Sequence, residues 1–299
     1  MHAEEIPINE DIVRQLLADQ FPRWASLPLV RVPSSGTVNA IFRLGTALAV
    51  RAPFVPGDAG ILREAEWSPR LAPHLPVRVP RVLGVGEPGA GYPSPWLVVD
   101  WIPGENPEPG ALRDPERVAG RVASFIEALR SVEPSEGAPA AHRHGDLADH
   151  DTGVRDALSQ LEDADELTTL WDEALAVPPW RDPPVWVHGD LLPSNVLVDP
   201  AGDLIAVIDM VPGVADPATE LIVAWALLPA EVRPGFRAAL DVDDDTWARG
   251  RGWAVLQAAV ALPYYRDINP GMARIARHTL GELLRDQQQR RWRDTGDVR

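Results

Sequence analysis

The sequence predicts an α+β fold in two parts: residues 1–102 built on an antiparallel sheet with one helix, and residues 103–299 mainly helical. Three observations carry this expectation. Up to about residue 101 the apolar residues fall into short β-prone runs separated by turn residues. From about residue 111 they recur at helical spacing. Between the two regimes lies WIPGENPEPG, a Pro- and Gly-rich stretch that reads as a hinge or linker.

In the first part, Asn9 is placed to cap a helix over 8–20 that carries Ile12, Val13, Leu16 and Leu17 on one face. Three short apolar runs follow, at 29–32, 40–44 and 47–52, and predict an antiparallel meander. The turn SSGTVN between the first two is small and polar. Its amides and hydroxyls, at Ser35, Gly36 and Thr37 above all, could approach a triphosphate, although it matches neither a G-x-G-x-x-G loop nor a Walker loop and also suits an ordinary hairpin. Arg51 is a charge inside the apolar run ALAVRAPF: a cation reaching phosphates, or a strand-end side chain stretching to water. Residues 59–72 read as a helix broken by Pro69, in which Glu64 is a better partner for Arg51 than Glu66. Two further β-like runs, 77–85 and 95–101, complete a five-stranded sheet.

In the second part, Asp114-Pro115 is a cap and first helical position for a helix to Arg130 with Val118, Val122, Phe125, Ile126 and Leu129 on one face. A loop rich in Pro, Ala and His follows. It contains His144-Gly145-Asp146-Leu147, and His142, His144, Asp146 and His150 are a conceivable transition-metal cluster, though a solvated loop is the simpler reading. A helix is expected over 154–164. Another begins at Asp216-Pro217 and runs to about 228, with Asp216 as cap. The acidic run 241–245 suits the start of a helix through Trp253, Leu256, Val260 and Leu262, or a cation-binding face, and residues 272–292 form the last helix.

Composition narrows the function. The chain has 299 residues, 45% apolar and 24% charged, ample for a sizeable core. It has no cysteine, which excludes disulfides, thiolate metal sites and a cysteine nucleophile. The acidic N-terminus lacks the unbroken apolar core of a signal peptide, and no run of about 18 apolar residues suggests a membrane span, so a cytoplasmic location is expected. With 28 basic against 44 acidic residues the net charge is −16, and no basic footprint for nucleic acid is present. A cationic small-molecule partner is compatible with that balance, as is an acidic surface that merely aids solubility.

The chemical signal lies in VWVHGDLLPSNVLVDPAGDLIAVIDMVPGVADPATE, residues 185–220. Two apolar runs, Val185–Val187 and 204–208, each deliver a carboxylate just past their ends, Asp190 and Asp209, with Asn195 between them. A hairpin-like connection between those two runs would bring the three side chains to one edge. Two aspartates and an asparagine supply the oxygen donors that Mg²⁺ requires and a group to orient a hydroxyl. The HGDL copy at 144 has no β-run before it and no asparagine at the matching offset, where Asp151 stands.

On the pattern H-G-D-x-x-x-x-N from His188 to Asn195, followed by Ile208-Asp209 and Asp216-Pro217-Ala218, the chain resembles the aminoglycoside phosphotransferase family. These are small-molecule kinases with a protein-kinase-like, two-lobed fold, and the resemblance spans nearly the whole chain. It implies ATP as donor, with GTP left open, and Mg²⁺. It implies that Asp190 accepts or orients the acceptor's hydroxyl proton and that Asn195 and Asp209 hold the metal. His188 would brace the loop and Asp216 would support it from a helix start. Ser35, Gly36 and Thr37 would lie over the phosphates, Arg51 would meet them with Glu64 as its partner, and 98–102, with Val99 and Trp101, would hydrogen-bond adenine. The acceptor implied is an aminoglycoside; a macrolide, choline or another small alcohol is the alternative. A kinase-shaped binding protein without catalysis is the alternative of another class. The chain departs from the family pattern in having Arg51 where lysine is common, Met210-Val211 after Asp209 where an aromatic and a glycine are usual, Leu192 where His is frequent, and Glu220 where Asp is.

Overall fold

The computed structural model describes residues 6–33, 38–54 and 59–296. The chain divides into two compact units, Met1–Gly104 with Ala206–Pro212, and Glu105–Ile205 with Gly213–Arg299. The division falls close to the predicted hinge, but the first unit takes back a seven-residue segment that carries Asp209.

The first unit contains α1 (Glu10–Gln20), β1 (Leu29–Arg31), β2 (Asn39–Leu44), β3 (Leu48–Pro53), α2 (Ala59–Leu71), β4 (Val82–Gly86) and β5 (Trp96–Asp100). The strands form one antiparallel sheet in the order β1-β2-β3-β5-β4. Asn9 caps α1 as expected, its Oδ1 accepting from the N–H of Ile12 at 3.0 Å. Both faces of the sheet are covered, so alternate residues of one strand enter different cores. Trp96 and Val98 pack with Val13, Leu16, Phe42 and Val50 on the α1 side. Leu97 and Val99 pack with Ala49 and Ile61 on the α2 side. The expected strand over 77–85 is regular only from Val82. Before it, Arg78 bridges to Ala206 and accepts from Val207 N at 2.9 Å, which ties the 206–212 segment to this unit. Pro69 does not break α2. It lies three positions from the end, and the helix runs on to Leu71 before a 3₁₀ turn over Ala72–His74.

The second unit contains α3 (Pro115–Arg130), α4 (Asp151–Leu158), α5 (Ala164–Ala176), β6 (Val185–Val187), β7 (Val196–Val198), β8 (Leu204–Val207, whose last two residues belong to the first unit), β9 (Gly213–Ala215), α6 (Val223–Ala226), α7 (Arg233–Leu240), α8 (Asp244–Tyr265) and α9 (Pro270–Gly296). Asp114 caps α3 and Asp243 caps α8, as their sequence positions predict. Three expectations change. The helix expected over 154–164 ends at Leu158, and α5 and α7 are additional. The segment after Asp216 is a 3₁₀ turn over Pro217–Ile222 before the short α6. The strand leading to His188 also pairs differently. β6 runs antiparallel to β9, with Val185 opposite Ala215 and Val187 opposite Gly213, while β7 pairs with β8. The turn at 199–202 therefore joins β7 to β8, and Asp209 and Asp190 leave different two-stranded sheets. Among the described residues, no helix is long and apolar enough to cross a membrane.

Candidate active site

Within the second unit, β6 ends at Val187, His188 follows, and the chain turns at Gly189, whose φ of 77° lies in the region that glycine enters freely. The turn is fixed from two sides. Gly189 N–H donates to Glu220 Oε1 at 2.6 Å, and Asp190 N–H donates to His188 Nδ1 at 3.3 Å. His188 is buried. Glu220 is also buried, and burial raises its carboxyl above the ordinary range, opposed by the charge of His188 and the backbone N–H groups of Gly189 and His188. A glutamate standing immediately before the apolar run LIVAWALL needs such a partner when buried, and that was the available sequence signal for its role.

Asp190 stands at the open side of this turn with its side chain 40% exposed. Asn195 Nδ2 donates to the Asp190 backbone oxygen at 2.8 Å and to Asp190 Oδ2 at 3.0 Å. On the other carboxylate oxygen sits Arg143, whose Nη1 donates to Asp190 Oδ1 at 2.7 Å and to the Gly189 carbonyl at 2.6 Å. Arg143 comes from the loop before the HGDL copy and has no counterpart among the sequence expectations. Asp216 accepts from Ala218 N at 2.9 Å, capping the turn as expected, and from Arg249 Nε at 2.7 Å. Two of the four aspartates of the acidic run are engaged: Asp243 caps α8 and Asp244 pairs with Arg237.

Within the first unit, the two-residue period of β3 puts Arg51 on the α2 face beside Ala49, and Glu64 lies one turn beyond Ile61 on the inward face of α2. The two meet as a buried ion pair, and Arg51 also reaches Asp209 Oδ1. Burial pushes the Glu64 carboxyl up to about 7, Arg51 opposes the shift, and Asp209 adds to it. Glu66 pairs on the surface with Arg70. Asp209 has a left-handed backbone, φ 57°, and its carbonyl accepts from Val211 N at 2.9 Å. Met210, which follows Asp209, is fully buried. Val99 is buried in β5 between Ala49 and Val82. Trp101 donates its N–H to Ala47 O at 2.8 Å and lies beneath the Arg43 guanidinium. Ser35, Gly36 and Thr37 lie outside the described residues.

The phosphotransferase enzyme family model matches residues 29–253. The chain belongs to that family. Aminoglycoside 3'-phosphotransferase from Streptomyces fradiae is 31% identical over 184 residues, and that from Streptomyces ribosidificus 34% over 145. Those matches span 57% and 46% of this chain and only 62% and 53% of the two relatives. Among solved structures, the GDP complex of aminoglycoside 2'-phosphotransferase-IIIa superposes with a TM-score of 0.74 at 19% identity, covering 94% of this chain and all of that one. Macrolide 2'-phosphotransferase type I superposes with a TM-score of 0.62 at 18% identity, covering 91% and 97%. At such identities the likeness is one of fold: the chain has the α+β kinase-like architecture expected of it.

The donor chemistry of this family member fits a hard cation. Asn195 commits its amide nitrogen to Asp190, which leaves its amide oxygen as the acceptor, and Asp209 keeps a second carboxylate oxygen beyond the one on Arg51. Among the described residues there is no group of three or more His, Asp or Glu side chains that could hold a metal by itself, the 142–150 loop included. Mg²⁺ accepts one or two protein oxygens when nucleotide phosphates complete its shell, so each of these oxygens, taken by itself, is of a type that suits it.

Proposed function

We propose that the chain is an ATP- and Mg²⁺-dependent O-phosphotransferase acting on a hydroxyl of an aminoglycoside. The observation that carries the reading is the Asp190 carboxylate, exposed at the end of a braced turn and held on one side by Asn195 of the same H-G-D-x-x-x-x-N segment. In the transfer step the acceptor oxygen forms a bond to the γ-phosphorus as the bond to the bridging oxygen breaks. The electron pair leaves on ADP, and the hydroxyl proton passes to Asp190. Asn195 and Asp209 are assigned as the metal's protein ligands, and Mg²⁺ when bound supplies neutralisation of the phosphate charge. Arg51, held by Glu64, is assigned to the nucleotide phosphates, together with the segment at Ser35, Gly36 and Thr37, and the 98–102 backbone at Val99 and Trp101 to adenine. GTP is the competing donor, and a place in the cytoplasm, where ATP is made available, accords with this chemistry.

The acceptor class rests on the two aminoglycoside relatives and on the net charge of −16, which favours a polycation. ADP release and product mass, measured with kanamycin, gentamicin, erythromycin and choline in the presence and absence of Mg²⁺, test it. Metal-dependent phosphorylation of kanamycin or gentamicin is expected, with KM rising as salt screens the attraction. Turnover confined to erythromycin or choline would move the acceptor class. Nucleotide binding with no turnover would favour the non-catalytic binding protein.

A further inference from the structure

The mechanism above uses one flank of Asp190, the one on Asn195. The other flank is Arg143, and its surroundings show that its position is built. The segment before it is clamped to β9: Ala141 N donates to Val214 O at 3.1 Å, and Val214 N donates to Pro139 O at 2.8 Å. Gly213 makes this approach feasible, because a Cβ there would stand 2.4 Å from Ala141 Cα and 2.5 Å from Ala141 N. Beyond it, His144 Nδ1 lies 2.7 Å from Ala141 O, closing the loop on itself around Arg143. The Arg143 side chain is 15% exposed, and its single Nη1 contacts both the Gly189 carbonyl and Asp190 Oδ1, so it ties the main chain of the turn to the carboxylate.

Resting on the transferase reading, we infer that Arg143 is a positioning residue for the phosphoryl-transfer step, forming with Asn195 a two-sided clamp that holds the Asp190 carboxylate toward the acceptor hydroxyl. An ionised carboxylate offers about four lone-pair positions, and the clamp takes one on each oxygen. The remaining two serve the hydroxyl. An ion pair with so exposed an acid contributes little to folding, so the selective use of the clamp is orientation. Fixing a base within a few tenths of an ångström matters because a displacement of about 1 Å can cost about a hundredfold in rate.

The test compares wild type, Arg143→Ala and Arg143→Lys in kanamycin phosphorylation, Mg-ATP binding, thermal melting and crystal structures. For Arg143→Ala, kcat falls about a hundredfold while KM for kanamycin, affinity for Mg-ATP and the melting temperature stay close to wild type. Arg143→Lys recovers part of kcat, since one nitrogen makes both contacts, and guanidinium ion at sub-denaturing concentration restores part of the alanine variant's rate. Unchanged kcat would overturn the inference, as would a rise in KM alone, which marks a direct contact with the acceptor. Equal losses in both variants with lowered melting would mark a merely structural side chain and overturn it too. If wild type turns over no acceptor, the transferase reading fails by itself, and the Asp190 rotamer decides the clamp. Release of the carboxylate in Arg143→Ala supports it, and an unmoved carboxylate overturns it.

Discussion

Arg51 sits in a strand interior with Glu64 on one side and Asp209 on the other, and burial of the Glu64 carboxylate outweighs the help it receives from the guanidinium. Folding therefore favours the protonated glutamate. A group whose folded pKa is raised contributes stability that is fully present below its unfolded value of 4.5 and is lost as pH climbs through about 7. In the chain free of nucleotide and Mg²⁺, the melting temperature of Glu64→Gln should gain on wild type between those two values and gain no more above them. A difference that stays flat between 4.5 and about 7, with the variant losing ground to wild type only as pH rises toward 4.5 from below, would show that Arg51 keeps the carboxylate ionised. At Asp209 the expectation is different in kind. Asp209→Asn should weaken Mg-ATP binding by at least the 10- to 100-fold, roughly, that even a metal's outer hydrogen-bond partners are worth. Calorimetric affinity equal to wild type would place the metal on other donors. The pairing of Arg51 with Glu64 was legible in the sequence as a cation inside the apolar run ALAVRAPF and a glutamate in the helix that follows, although the sequence reading set Glu64 opposite Ile61 rather than on its face. Arg143 was not, because its contacts with Gly189 and Asp190 join positions 46 and 47 residues apart in the chain, and nothing local marks it.

At the level of elements, capping chemistry and helical periodicity were read reliably. Asn9, Asp114, Asp216 and Asp243 all hold the N–H groups their positions predict. Strand partners were not legible. The runs at 185–187 and 204–208 are equally apolar, and either could have closed a hairpin on the other. What decides the pairing is Gly213, since only a residue without a Cβ lets β9 pass beside the 140–141 backbone while pairing with β6. Gly213→Ala is expected to cost about 1–3 kcal/mol of stability, the usual penalty for forcing an extra carbon into a packed interior, measured as a shift in the urea midpoint. It should also lower kcat, because the same loop carries Arg143. Wild-type stability and turnover in this variant would mean that the loop is not seated on β9 as described. Pro69 gives a milder lesson. A proline in the last turn removes a single helical hydrogen bond, and the pairing of Glu64 and Ile61 with the sheet keeps α2 helical to Leu71.

For the whole molecule, the change from strand to helix periodicity near residue 105 divides the chain where the compact units divide, and the first unit recovers the short segment that bears Asp209. That return crossing was hidden from the sequence because it depends on Arg78 pairing with Ala206 and Val207, a contact over more than a hundred residues. Of the residues discussed, Arg51, Glu64 and Asp209 lie in the first unit, and His188, Asp190, Asn195 and Glu220 in the second. The central claim is that this chain transfers a phosphoryl group with Asp190 receiving the acceptor's proton. The measurement that tests it most directly sets the kcat of Asp190→Asn with kanamycin beside its Mg-ATP dissociation constant. The account predicts a loss of kcat of roughly 10²- to 10⁴-fold with the dissociation constant unchanged, because the amide keeps the shape of the side chain and loses its basicity. Turnover at the wild-type rate in that variant would contradict it.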